Sequence, residues 1–298
     1  MRDEQTPAAL KALIENVPYR DQKIDSKWAV PDRHLKQVMD EFSFEGSQDK
    51  MIGVVKRMGA EPPPDFGGDI DWDAELAEFE RLDYPSYYLQ PFHSVPGGWL
   101  SQAAAMFDRQ AMESIYTDWH PRKCLGMRDE LALFIPEDAR RVLDVGAGTC
   151  DAAAAIARRL PEAKVTAVEA SPFMIIAGRR QNRDVSNLDY LHAMGEDMPY
   201  EDDSIDAINI TLVLHECENR AKEAIVGECY RVLRPGGTLV LSDTPTYDLD
   251  DFRGFFEPYR EQCVKFDADA FVKEQGLVDI KAYDTAPPLW TRVAIKPA

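Results

Sequence analysis

Two textures divide the chain. From Arg141 onward, short apolar runs of strand type alternate with helical segments. The runs are Val142–Val145, Val165–Val168, Leu188–Leu191, Ala207–Val213, Thr238–Leu241, Val278–Ala282 and Thr291–Ile295. Helical patterns at Ala152–Leu160, Phe173–Asn182 and Ala221–Leu233 fall between the early ones. Strands interleaved with helices predict βαβ units, and hence an α/β fold with a mostly parallel sheet covered on both faces. The last two runs are joined by "YDTAPPLWTR", too short for a helical crossover, so an antiparallel pair is expected there.

The first 120 residues read differently. Helical patterns run from Thr6 to Val17 and, with a break near "FEGSQ", from Asp32 to Met58. Glu61 to Pro85 is a Pro- and Gly-led stretch with nine acidic residues and one basic one, which marks a linker with a solvated face. Within it Asp73–Leu82 predicts a short helix, and a further helix is expected from near Trp99 past Tyr116. These features divide the chain into a helical N-terminal cap or lid, residues 1–120, and an α/β domain, residues 121–298.

The formal net charge of −19 over 298 residues makes nucleic acid and anionic membrane surfaces poor partners. No stretch approaches the ~20 apolar residues of a membrane span, and "MRDEQTPAAL" lacks the apolar core of a signal peptide. The five cysteines are widely spaced without a C-x-x-C pair, which argues against a disulfide framework or a zinc site and for a reducing, cytoplasmic setting. The five histidines show no metal-ligand spacing. A homodimer is left open.

The chemistry concentrates in "RVLDVGAGTCD", Arg141–Asp151. A buried strand ends in Asp144, and Gly146 and Gly148 supply a tight turn and room for a ligand against the backbone. The helix that follows offers free N–H groups. The next strand ends at Glu169, 23 residues after Gly146, where a carboxylate accepts both hydroxyls of a ribose. Where a third glycine would complete G-x-G-x-G, the chain has Cys150.

With "VLDVGAGTCD", "VTAVEASPFMIIAGRR", "GEDMPYEDDSIDAINITLVLHE" and "ECYRVLRPGGTLVLSD" in this order, the chain from about Arg140 to Ala298 resembles the class I S-adenosylmethionine-dependent methyltransferases, in particular their small-molecule branch. The resemblance implies a Rossmann-like, seven-stranded, mostly parallel sheet with its last strand antiparallel. It implies S-adenosyl-L-methionine as cofactor and S-adenosyl-L-homocysteine as product. Asp144, Gly146 and Gly148 would line the methionine end, and Glu169 would hold the ribose. Ala170, Ser171 and Met174 would flank the adenine, with Met174 as an apolar plate, and Gly195 would meet the adenine edge. Thr211 and Leu212 would lie beside the amino-acid portion. Met194 stands where many relatives carry an adenine-binding Asp, so Glu196 or Asp197 would take over that contact.

His215, in "LVLHECEN", is the first acid–base candidate, since histidine exchanges a proton near neutrality; the alternative is a histidine that only bonds loop backbone. Glu216 either orients it or points to solvent. His93, in "PFHSVPGG", is the second candidate, beside a structural turn role. Tyr87, Tyr88, Phe92 and Trp99 form either an aromatic collar around a cationic sulfonium or plain cap packing. Tyr116, Tyr259 and Arg260 complete the acceptor-side candidates. The expected activity is methyl transfer to a small organic molecule, at an oxygen, nitrogen, sulfur or carbon atom. A protein methyltransferase and a cofactor-binding regulator without turnover are the alternatives.

Overall fold

The structure is a computed structural model that describes residues 70–90, 92, 98–100, 105, 123–243, 259, 262–263, 265–285 and 289–298. The helices expected at Thr6–Val17, Asp32–Met58 and beyond Trp99 lie outside them, as do His93, Tyr116 and Arg260.

Seven strands form one sheet: β1 Arg141–Val145, β2 Lys164–Glu169, β3 Leu188–His192, β4 Ile205–Thr211, β5 Leu233–Asp243, β6 Val278–Thr285 and β7 Leu289–Ile295. Their order is β3-β2-β1-β4-β5-β7-β6. β1 to β5 run parallel, and β7 pairs antiparallel with both β5 and β6. The antiparallel last strand is as the sequence implies. The order reverses between β1 and β4, which opens a crevice at the strands' carboxyl ends.

Alternation along the strands builds two cores. Leu143, Val145, Val168, Ile208, Ile210, Leu239 and Leu241 face one side, against α5 (Asn219–Val232) through Ala221, Ile225, Val226 and Cys229. Val142, Val165, Ala167, Ala207 and Val240 face the other, against α3 (Asp151–Arg159). The buried alanines of α3, Ala152 to Ala155 and Ala157, let that helix lie close to the sheet. The central strands are buried on both faces, so they read as continuous apolar runs.

Further helices are α2 Lys123–Ala132, α4 Pro172–Gln181 and α6 Ala268–Glu274. Ahead of them, α1 spans only Trp72–Leu76, shorter than the expected Asp73–Leu82. The chain leaves the helix early because Phe79 and Tyr84 turn in against α4, joining Phe173, Met174 and Ile176 in a third cluster. Glu75 and Glu78 pair with Arg180 and Arg179 of α4 across the same contact. Part of the acidic run therefore docks rather than facing water throughout. β5 also begins earlier than Thr238: it includes Pro235-Gly236-Gly237, with a register shift opposite Ile205 and Ala207 that absorbs the turn.

Candidate active site

The loop after β1 is a left-handed turn at three residues, Gly146 (φ 69°), Gly148 (φ 54°) and Cys150 (φ 66°). At Gly146 the turn is also crowded, since a Cβ there would stand 2.6 Å from Val213 Cγ2. Cys150 holds a conformation that favours glycine, at ~1–2 kcal/mol for a residue with a Cβ. Its side chain is fully buried, and Sγ donates to Gly148 O at 3.3 Å. It lies against α4 at Gly178, where a Cβ would be 2.7 Å from Sγ. The thiol therefore packs beneath the loop, between α3 and α4.

Parity brings a polar ladder to the same end. Asp144 and Asn209 are register partners, and Asn209 Nδ2 donates to Asp144 Oδ1 at 2.7 Å and to Thr211 Oγ1 at 3.0 Å. Asp144 Oδ2 is buried with no hydrogen-bond partner among the described residues. Burial pushes this carboxyl up to about 6, against the Asn209 hydrogen bond that lowers it. β4 ends at Thr211, two residues earlier than its apolar run, because Leu212 turns left-handed (φ 58°). Leu212 then packs against Met127, Leu131 and Leu289.

Glu169 closes β2 in a buried cradle. Gly148 N donates to Oε2 at 2.8 Å and Ser171 N to Oε1 at 2.7 Å, so the acid is tied to the turn after β1. Ser171 caps α4 through Met174 N. Tyr88 adds its hydroxyl to Glu169 Oε1 at 3.3 Å, and Tyr84 donates to Ala170 O at 2.8 Å. Burial raises the Tyr88 hydroxyl well above the ordinary phenol range, and the Glu169 charge adds to it. Met174 is buried in the cluster with Leu76, Phe79, Tyr84 and Leu100. Gly195 packs its backbone against Val145 and Ile225. Glu196 Oε1 accepts from Tyr87 at 2.5 Å, while Oε2 is buried without a partner among the described residues. Burial raises this carboxyl's pKa and the Tyr87 bond opposes it.

The acceptor-side candidates cluster where β4 and β5 end. His215 lies in the 3₁₀ turn Leu214–Glu216 and is 7% exposed. Nδ1 is 2.7 Å from Asp243 Oδ1, its backbone N donates to Asp243 Oδ2 at 3.1 Å, and Nε2 is 3.3 Å from Glu216 Oε1. Burial lowers the imidazole pKa, but the carboxylates of Asp243 and Glu216 outweigh it and carry it up to about 10. Carboxylates at both ring nitrogens favour the imidazolium form. Glu216 orients it rather than pointing to solvent.

Aromatic side chains cover this pair. Trp99 Nε1 donates to Glu216 Oε2 at 2.6 Å, Phe92 stacks on Trp99 at 6.0 Å between centroids, and Tyr259 lies 6.3 Å from Phe92. Nearby Lys222 is buried, with Nζ donating to Asn219 Oδ1 and lying 5.4 Å from the Phe266 ring centroid. The residue that the sequence reading missed is Asp243. Its signal was present, an acid closing the apolar run "TLVLSD" at a strand's carboxyl end.

The site can hold the cofactor that the resemblance implies. The Glu169 carboxylate is fixed to the glycine turn, and two buried carboxylate oxygens, on Asp144 and Glu196, lack partners among the described residues. Such orphans carry a desolvation penalty that a bound donor relieves.

Comparison with known proteins agrees. A methyltransferase-domain family model matches residues 142–237. A demethylmenaquinone methyltransferase of Clavibacter sepedonicus is 32% identical over 164 residues, covering 53% of this chain and 64% of that protein. A ubiquinone/menaquinone biosynthesis C-methyltransferase of Proteus mirabilis is 31% identical over 143 residues, covering 44% and 56%. The chain thus spans less than two thirds of either relative. Human N-acetylserotonin methyltransferase, solved in complex with S-adenosylmethionine, superposes with a TM-score of 0.52 at 16% identity, covering 76% of this chain and 65% of that one. At that identity the likeness is one of fold. The stretch that matches the methyltransferase-domain model, residues 142–237, runs from β1 into the start of β5 and so contains the glycine turn and Glu169.

Proposed function

We propose that the chain transfers a methyl group from S-adenosylmethionine to a small organic acceptor carrying an ionisable or electron-rich nucleophile. The observation that carries this reading is Glu169, a buried carboxylate tied by Gly148 N and Ser171 N to the turn after β1. The cofactor supplies an electrophilic methyl on a sulfonium. Glu169 holds the ribose hydroxyls, and Asp144 Oδ2 accepts from the amino group at the methionine end. Gly146 and Gly148 let the ligand approach the backbone.

On the acceptor side, alignment of nucleophile and methyl supplies most of the rate, up to ~7–11 kcal/mol in well-oriented systems. The aromatic cover of Phe92, Trp99 and Tyr259 excludes water and presents flat apolar faces to an acceptor ring. Glu216, between the Trp99 N–H and the His215 ring, accepts a proton where the acceptor must lose one. His215 stays cationic and steadies that carboxylate. A hydroxylated aromatic ring is the acceptor class we favour, supported by the aromatic cover and by the quinone-pathway names of the relatives.

The test is incubation with methyl-labelled cofactor and a panel of small phenols, hydroquinones and amines, with a protein extract as a separate arm. Label in a small phenol or hydroquinone supports the reading. Label confined to protein contradicts it, and cofactor binding with no transfer in any arm favours a regulator.

A further inference from the structure

The two halves of the site meet in one side chain. Trp99 precedes the sheet domain, yet its indole Nε1 donates to Glu216 Oε2 at 2.6 Å. Its carbonyl accepts from Ser171 Oγ, also at 2.6 Å. Ser171 caps α4 and lends its backbone N–H to Glu169. On the far side, Glu216 Oε1 stands 3.3 Å from His215 Nε2, and His215 Nδ1 is 2.7 Å from Asp243. A row of four side chains, Trp99–Glu216–His215–Asp243, thus runs from the cofactor-side helix cap to the end of β5.

We propose that Trp99 is a positioning residue: its indole N–H pins Glu216 against His215 and keeps that pair in register with the cap that supports Glu169. The inference rests on the functional reading above for the meaning of the two sides. The chemistry of the residue suits the role. An indole N–H is a donor and never an acceptor, so it fixes a carboxylate by hydrogen bonding without protonating it. Glutamate has three rotatable side-chain bonds, and with one oxygen on Trp99 the other is held toward the imidazole. The stack of Phe92 on the indole fixes the indole in turn. Among the described residues, the ionisable groups around His215 include Asp243 from β5 and Glu216 from its own turn; Cys217, Glu196 and Lys222 lie around that turn. Trp99 controls the geometry of Glu216 within this set.

The experiment is a titration of the His215 ring by NMR in the full chain with labelled histidine, the signal being assigned by its loss in Trp99-intact His215→Gln. Trp99→Phe keeps a ring and removes the donor. We expect the His215 midpoint to fall by about one pH unit or more in Trp99→Phe, with S-adenosylhomocysteine affinity within about threefold of wild type. Glu216→Gln should lower the midpoint too, and Trp99→Phe on top of it should add nothing. A midpoint unchanged in Trp99→Phe, or additive falls in the double variant, overturns the inference. A second readout needs no change at Trp99: its indole N–H resonance should move upfield in Glu216→Gln, and an indifferent resonance overturns the inference even if Trp99→Phe does not fold. Failure of wild type to bind S-adenosylhomocysteine would instead strike the cofactor reading, leaving the titration result separately legible.

Discussion

Tyr88 donates its hydroxyl to Glu169 Oε1 at 3.3 Å, so the segment before the sheet rests on the acid that closes β2. A ribose hydroxyl would seek the same oxygen. Removing a neutral donor of this kind shifts a competing equilibrium by ~0.5–1 kcal/mol. Tyr88→Phe should therefore tighten S-adenosylmethionine binding by roughly two- to fivefold in calorimetry. Weaker binding in the variant would mean that Tyr88 supports the bound ligand instead of competing with it.

Cys150 and Gly178 form a matched pair. A Cβ at position 178 would stand 2.7 Å from Sγ and 3.1 Å from Thr149 O. Gly178→Ala should destabilise by ~1–3 kcal/mol despite alanine's better helix propensity. Cys150→Gly in the same chain should recover part of that loss, because it removes the thiol and relaxes the left-handed backbone. Cys150→Gly alone should leave cofactor affinity untouched, since the thiol faces α4. Denaturant unfolding of the three variants decides the first point and calorimetry the second.

The imidazolium of His215 makes a pH-dependent contribution to folding. Its folded pKa of about 10 lies above the ordinary 6.5, so the proton is bound more tightly in the native state. That stability is fully present below pH 6.5 and is lost as pH rises toward 10. His215→Gln should flatten the fall in stability over that window. An unchanged slope in the variant would place the alkaline loss elsewhere.

Asp144 predicts the opposite end of the scale. Burial raises its carboxyl to about 6 from 3.8, so without a bound partner its contribution is full below 3.8 and lost as pH rises through 6. Asp144→Asn keeps an acceptor for Asn209 and should raise the stability of the ligand-free protein above pH 6. It should also weaken S-adenosylmethionine binding, because the acceptor for the amino group loses its charge. Thermal unfolding across pH 4–7 with and without cofactor measures both effects.

The sheet was legible in the sequence because its central strands are buried on both faces. Val142–Val145 and Val165–Val168 could serve as little else, and the short link before β7 forced the antiparallel pair. Glu169 was legible because its place follows from strand and turn spacing. Side-chain geometry was not. The Asp243–His215 contact joins residues 28 positions apart through the ends of two strands, so local pattern could not predict that the histidine would be held charged. The same holds for the burial of Met174 in one cluster with Phe79 and Tyr84, residues far ahead of it in the chain. The early end of α1 likewise reflects docking on α4, which no helical period records.

Glu169 is proposed to hold the ribose of S-adenosylmethionine at the turn after β1. Calorimetric titration of wild type and Glu169→Ala with the cofactor tests it most directly. A hydrogen bond to a charged group contributes ~1.5–3 kcal/mol, so the variant should bind about 10- to 150-fold more weakly with its fold intact by circular dichroism. Equal affinity in wild type and variant would mean that Glu169 does not hold the ribose.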